Sequence, residues 1–170
     1  MSQIKIYSTK RVDEPFRANA MKRFGYGRGA ISKAAEEALI RWTTTISSIE
    51  SLISKVVEKA KNDDRVLSVI LFGSYAKKEA DFRDVDVGLL LYDLADSVQV
   101  YSDYAEFVGG EKYLDFSIIN SLPADVQSSI FNDAIVVYST NDPSLHDYTI
   151  DLIKKSADSR HILREALKTV

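Results

Sequence analysis

Residues 66–72, Val-Leu-Ser-Val-Ile-Leu-Phe, form an almost unbroken apolar run that stops at Gly73-Ser74. A run of this length, rich in β-branched residues, is the pattern of a strand covered on both faces. A second strand is expected over Val85–Leu91, and it is entered through Asp84-Val85-Asp86-Val87. Residues two apart on a strand share a face, so Asp84 and Asp86 point one way while Val85 and Val87 point into the core. Two carboxylates about 7 Å apart on one face repel each other unless a cation neutralises them. Hard oxygen ligands of this kind suit Mg²⁺.

A third carboxylate is expected nearby. In Tyr113-Leu114-Asp115-Phe116-Ser117-Ile118 the residues Leu114, Phe116 and Ile118 take the buried face and Asp115 the opposite one. An Asp in an otherwise apolar strand runs against strand propensity, and functional sites are where such local rules break. If the two strands are neighbours, three carboxylates converge. Gly73-Ser74 closes the first strand and opens a turn whose backbone N–H groups and hydroxyl suit phosphate oxygens. Lys77 and Lys78 follow and add positive charge. No G-x-x-x-x-G-K-[ST] run is present, which argues against a P-loop NTPase.

Alone, a D-x-D is most often a solvated strand edge and a Gly-Ser is only a turn. Together the order is specific: buried strand, Gly-Ser, nine intervening residues, Asp-x-Asp on an apolar strand, and a later Asp on another. This order resembles the DNA polymerase β-type nucleotidyltransferase superfamily, and residues 47–170 resemble its small members, the minimal nucleotidyltransferases. The resemblance implies an α/β (α+β) fold with a mixed sheet flanked by helices. It implies that Gly73, Ser74 and Lys77 bind nucleotide phosphates, and that Asp84, Asp86 and Asp115 hold Mg²⁺ or Mn²⁺ and carry catalysis. It further implies an NTP substrate, ATP first, and an acceptor hydroxyl on a partner such as a HEPN-type helical toxin. Two departures stand out. Many small members carry Ser before the first Asp and Gly after the basic residue of the turn, where this chain has Arg83 and Lys78.

Charge divides the chain. Residues 1–46 hold nine Lys/Arg and four acids, a balance of +5 against −3 for the whole, which leaves −8 for the remainder. A boundary is expected near Thr43-Thr44-Thr45, since β-branched residues are poor helix interiors, with Ser47-x-x-Glu50 capping a fresh helix. Upstream, Ile4–Thr9 alternates apolar and polar and reads as a short strand. A helix follows, with Asp13 as N-cap and Gly25 as stop, and a second begins at Ala30 with Ile31, Ala35, Ala38, Leu39, Trp42 and Ile46 on one stripe.

Strand, helix, glycine-rich turn and helix within residues 1–46 resemble a ribbon-helix-helix module, in which two chains pair strands into a ribbon for the DNA major groove. The resemblance implies a homodimer, with Lys5, Tyr7 and Thr9 toward bases and Arg28 at a phosphate of duplex DNA. The competing reading is a helical hairpin used only for packing. Tyr101, Tyr104 and Phe107, at helical spacing, are expected in the core.

With no cysteine, disulfides, thiol catalysis and cysteine-ligated zinc are excluded, in keeping with a reducing, cytoplasmic setting. No apolar run is long enough to cross a membrane, and the N-terminus lacks a signal-peptide core. His146 and His161 show no ligand spacing. Two functions follow: an NTP-using transferase that modifies a partner as an antitoxin, or a DNA-binding regulator whose second domain is catalytically silent.

Overall fold

The structure, a computed structural model, describes residues 5–109 and 113–140, together with residues 143, 146–148, 150–152 and 154–155. Its internal contacts divide the chain into two units, Met1–Ser48 and Ile49–Val170. Among the described residues, no helix is long and apolar enough to cross a membrane.

In the first unit, residues 5–9 form no strand, and Ile4 lies outside the described residues. Helix α1 spans Lys10–Phe24, so it begins ahead of Asp13, with Thr9 as N-cap and Pro15 inside. Asp13 does not cap; its carboxylate instead accepts from Arg17 one turn on, at 2.8 Å. Gly25 ends the helix as expected, at φ +81°. Helix α2 runs unbroken over Ala30–Lys61, so no fresh helix begins at Ser47. The reason is local. Thr43 and Thr44 donate their hydroxyls to the carbonyls of Leu39 and Ile40, and Ser48 donates to Thr44, at 2.8–2.9 Å. This bonding to the preceding turn lets hydroxyl residues stay helical. The expected apolar stripe does not close over in this unit: Leu39 and Trp42 are exposed.

The second unit holds a four-stranded sheet of β1 (Val66–Phe72), β2 (Val85–Leu91), β3 (Leu114–Ile118) and β4 (Ile135–Ser139), in the order β3-β2-β1-β4. β1 pairs antiparallel with β2 and β4, whereas β2 and β3 run parallel. The sheet is therefore mixed, as expected. Two apolar layers cover it. Ile49, Val56 and Ala60 of α2 and Val100, Tyr104 and Val108 pack on the face carrying Val85, Val87, Leu89, Phe116 and Ile118. Leu67, Ile70, Leu90 and Ile119 form the other layer, joined by Ile130 and Phe131. Helices α3 (Gly73–Ala76), α4 (Ser97–Phe107) and α5 (Ala124–Asp133) complete the unit, and the described residues from His146 onward are helical. Tyr104 is fully buried as expected, but Tyr101 and Phe107 are exposed, because steps of three fall about 60° short of a full turn on an α-helix and set these two on either side of Tyr104.

Two details fix where the strands lie. Beyond the end of β3, Asn120 bonds both backbone groups of Leu91: its Nδ2 donates to the carbonyl at 2.9 Å and its Oδ1 accepts from the N–H at 3.2 Å. A side-chain amide thus continues the β2–β3 ladder for one more rung. Gly88 sits where a Cβ would come within 2.6–2.7 Å of Ile119 and Ile70, so only glycine lets these buried side chains lie against β2. Gly88→Ala is expected to destabilise the protein by about 1–3 kcal/mol, the range for forcing an extra carbon into a packed core. The measurement is a urea titration with a lower midpoint and unchanged slope; an unaltered midpoint would mean that the two isoleucines repack freely.

Candidate active site

β1 ends at Phe72 and the chain turns at Gly73, with φ +67°. A Cβ at Gly73 would lie 1.9 Å from Oδ2 of Asp86, so the backbone of the turn rests against this carboxylate and leaves no space for a side chain. The strand register makes the same connection, pairing Phe72 with Asp86 across β1 and β2. On its other side Asp86 is paired directly with Asp115 of β3. Both leave the face whose alternate residues, Val85, Val87, Phe116 and Ile118, are buried, as the alternation predicts. Asp84 is one residue outside β2, at a bend, and is exposed.

The electrostatics report the crowding. The Asp86 carboxyl is held above the usual carboxylate range, first by its burial and then by the negative charges of Asp84 and Asp115. Among the described residues, no three His, Cys, Asp or Glu side chains close around one point as a ready-made ion cage. The donor set is nonetheless all carboxylate oxygen. It fits a hard divalent cation that takes one or two protein carboxylates and completes its shell with water and phosphate oxygens.

The turn after β1 is short and strongly bonded. Lys77 and Lys78 donate their N–H groups to the carbonyls of Gly73 and Tyr75, and Glu79 to that of Ser74, at 3.0–3.1 Å. Lys78 has φ +59°, a left-handed conformation in a residue with a side chain. Such a conformation costs roughly 1–2 kcal/mol, and it falls where the resemblance led one to expect glycine. Ser74 is half-buried beside Gly73. The ammonium group of Lys77 reaches Asp133 of α5 at 3.5 Å, an exposed pair. Further along, Phe82 packs edge-on against Tyr75, ring centroids 5.1 Å apart. The clamp between Phe82 and Tyr75, the Lys77–Asp133 pair and the Asn120 rung did not emerge from the sequence. Phe82 alone left a signal there, as an isolated aromatic in a charged loop.

The remaining expected residues lie in the first unit. Lys5, Tyr7, Thr9 and Arg28 are all exposed, and the Lys5 ammonium sits 5.2 Å from the Tyr7 ring centre. Arg28 is in the turn between α1 and α2. His146 is exposed, and His161 lies outside the described residues.

A mixed sheet that brings a Gly-Ser turn against an Asp-x-Asp strand and sets a third Asp beside it is the layout of a nucleotidyltransferase fold. The family model described as "Polymerase beta, Nucleotidyltransferase" matches residues 54–143, and the chain belongs to that family. No curated protein matches the chain. Among solved structures, the chain is similar to a toxin–antitoxin complex with AMP-PNP, at 18% identity and TM-score 0.49, over 71% of this chain and 94% of that one. A MntA–HpeT toxin–antitoxin complex gives 17% identity and TM-score 0.49, over 72% and 92%. A tri-AMPylated Shewanella oneidensis HEPN toxin in complex with MNT antitoxin gives 17% identity and TM-score 0.44, over 72% and 90%.

The raised value at Asp86 has a signed consequence. The folded protein holds this proton more tightly than the unfolded chain does, so ionising Asp86 costs stability. That cost is absent below the ordinary carboxylate pKa and complete once the pH exceeds the raised one. Asp86→Asn is therefore expected to raise the Tm of the metal-free protein at neutral pH, and the gain should shrink as the pH falls through the carboxylate range. A lower Tm for the variant at neutral pH would mark Asp86 as structural.

Proposed function

We propose that this protein transfers a nucleoside monophosphate from an NTP, ATP first, to a hydroxyl on a partner protein, and that it does so with a divalent cation. The observation that supports the reading is the register that sets Asp86 beside Asp115 while the glycine turn touches the Asp86 carboxylate. Asp84, Asp86 and Asp115 are the residues that would hold Mg²⁺ or Mn²⁺. A bound ion would supply positive charge at the α-phosphate and make the acceptor hydroxyl more acidic. Gly73 and Ser74 would offer the turn's N–H groups and hydroxyl to phosphate oxygens, with Lys77 adding charge. The acceptor oxygen bonds to the α-phosphorus as the α–β bridging P–O bond breaks, and pyrophosphate leaves with that electron pair. Asp115, exposed on the outermost strand, receives the proton of the acceptor hydroxyl. The rest is positioning, because phosphoryl transfer asks little covalent chemistry of a protein. The proposed acceptor is a small helical protein of the HEPN type, as the resemblance to minimal nucleotidyltransferases implies, and the protein would then act as its antitoxin in the cytoplasm.

Incubation with labelled ATP, Mg²⁺ and the product of the adjacent gene is expected to add one or more nucleoside monophosphates to that protein, read by mass spectrometry. Asp84→Asn or Asp86→Asn should lower the rate by about a hundredfold or more, since losing an ion ligand removes several kcal/mol of charge stabilisation. Full activity in either variant would overturn the site assignment. No transfer with an intact, folded protein would favour the regulator with a catalytically silent domain.

A second reading concerns residues 1–46, and two observations favour it. The segment carries +5, and Ile6 and Tyr7 stand 61% and 83% exposed in an unpaired stretch. An unpaired strand leaves its backbone groups and apolar side chains without partners. We propose that two copies pair here and bind duplex DNA, with Lys5, Tyr7 and Thr9 at bases and Arg28 at a phosphate. Gel filtration is expected to show a dimer that becomes a monomer when residues 1–46 are removed. DNA binding should weaken steeply with salt as counterions are released. Lys5→Ala should change sequence preference, and Arg28→Ala should weaken all sites alike. A full-length monomer with no affinity for DNA at low salt would reject this reading.

A further inference from the structure

We propose that the free edge of β3, with the groove along it, docks an extended basic segment of the acceptor protein as an added strand; the role rests on the transfer reading above.

Val98 and Tyr101 of α4 line a groove of about 320 Å³ together with Phe116, Ser117, Ile118 and Leu122. Successive residues of a strand point to opposite faces. A groove touched by three in a row, Phe116 to Ile118, therefore runs along the edge of β3. That edge is an outer one: β2 lies on one side of β3, and no described strand lies on the other. The ladder decides which backbone groups face outward. Val85 donates its N–H to the Tyr113 carbonyl. Backbone groups alternate sides along a strand, so Tyr113, Asp115 and Ser117 bond toward β2, while Leu114, Phe116 and Ile118 turn theirs out. The Ile118 carbonyl accepts from the Ser121 hydroxyl at 2.7 Å. Among the described residues, nothing bonds the outward groups of Leu114 and Phe116. The α4 side of the groove is apolar and open, with Val98 82% and Tyr101 44% exposed. Strand addition uses these two features, main-chain bonds for affinity and recesses for alternate side chains for selectivity.

Charge decides the occupant. Residues 84–153 hold thirteen Asp or Glu against a single Lys or Arg, Lys112. Asp96 stands two residues before Val98, and Asp115 stands next to Phe116. Both are exposed, and among the described residues neither makes an ion pair. Such a surface repels nucleic acid and acidic peptides, and it attracts a segment that carries Lys or Arg between apolar residues. The place also suits the chemistry. Asp115, the proposed proton acceptor, is about 7 Å from Ser117 along the same strand. A hydroxyl residue just beyond the docked stretch is thereby delivered toward the carboxylates. The other edge of the sheet, β4, lies on the far side of β1 and β2 from Asp115.

The experiment measures binding of the adjacent gene's protein product to the full chain without ATP, then transfer kinetics with ATP and Mg²⁺. Wild type is compared with Val98→Lys, Asp96→Asn and, on β4, Val136→Lys. Val98 and Val136 are 82% and 55% exposed, so the Tm should not move. Val98→Lys is expected to weaken binding at least about tenfold, the effect of a lost apolar contact and a repelling charge. It should raise KM for the acceptor and leave KM for ATP unchanged. Asp96→Asn should weaken binding at low salt and flatten its salt dependence. Val136→Lys should bind as wild type does. In the complex, hydrogen exchange at the Leu114 and Phe116 amides should slow. The proposal is overturned by a wild type without affinity, by equal binding of wild type and Val98→Lys, by equal loss in Val136→Lys, or by unchanged exchange at Phe116. Binding that depends on Val98 but leads to no transfer would keep the docking edge and overturn the transfer reading.

Discussion

The parallel pairing of β3 with β2 is the constraint on which the site depends. Left to themselves, Asp86 and Asp115 would separate, since the charge of Asp115 raises the cost of ionising Asp86. What holds them adjacent is a ladder with buried side chains on the opposite face, where Val87 faces Phe116 and Leu89 faces Ile118. A slip of one residue would turn all of these outward, so the apolar face enforces the acidic one. The Asn120 rung reinforces the same register from beyond the strand end. Charge repulsion is thus stored in a place where hydrophobic burial prevents its release by sliding.

How much of this was legible in the sequence varied with the strength of the local pattern. β1 and β2 lie within 66–72 and 85–91 as expected, because a short apolar run between a glycine turn and charged residues has few other ways to be buried. β3 and its Asp115 were legible from alternation alone. That β3 lies beside β2, and that Asp86 and Asp115 share a rung, depends on tertiary pairing that no local pattern carries. Asp84 stands one residue before β2, which begins at Val85 as expected. The threonine run misled in the opposite direction: as isolated residues Thr43 and Thr44 disfavour helix, but their hydroxyls bond back to the turn before and the helix runs on.

The first unit shows why its part of the sequence was harder to read. Among its described residues the buried apolar ones are the small side chains Ala20 and Ala30, while Val12, Tyr26, Ile40 and Trp42 are exposed. With so little burial, cap and propensity preferences decide the helix ends, and each is worth about 1 kcal/mol or less. The start of α1 at Lys10, three residues before the expected cap, is an error of that size. Ion pairs such as Arg23–Glu37 and Arg41–Glu37 add little, since their basic partners are largely in solvent. Where burial is large the pattern predicts the structure, and where it is small several helix starts lie close in energy.

The turn that joins β1 to β2 concentrates the remaining strain. It contains two left-handed residues five apart, Gly73 and Lys78, for different reasons. At Gly73 the position is demanded by contact: the Asp86 carboxylate occupies the place of a Cβ. At Lys78 it is demanded by closure. The N–H groups of Lys77, Lys78 and Glu79 all turn back to carbonyls of the preceding residues, and that triple bonding is only possible if the chain reverses at Lys78. Strain of this kind persists where surrounding bonds over-determine the backbone, and it gathers at functional sites. The effect is to fix the backbone of Gly73 and Ser74 at the end of β1, with the Asp86 carboxylate against Gly73 on one side and the loop that carries Lys77 and Lys78 on the other. Carboxylates and lysines are thereby held along one short connection between β1 and β2.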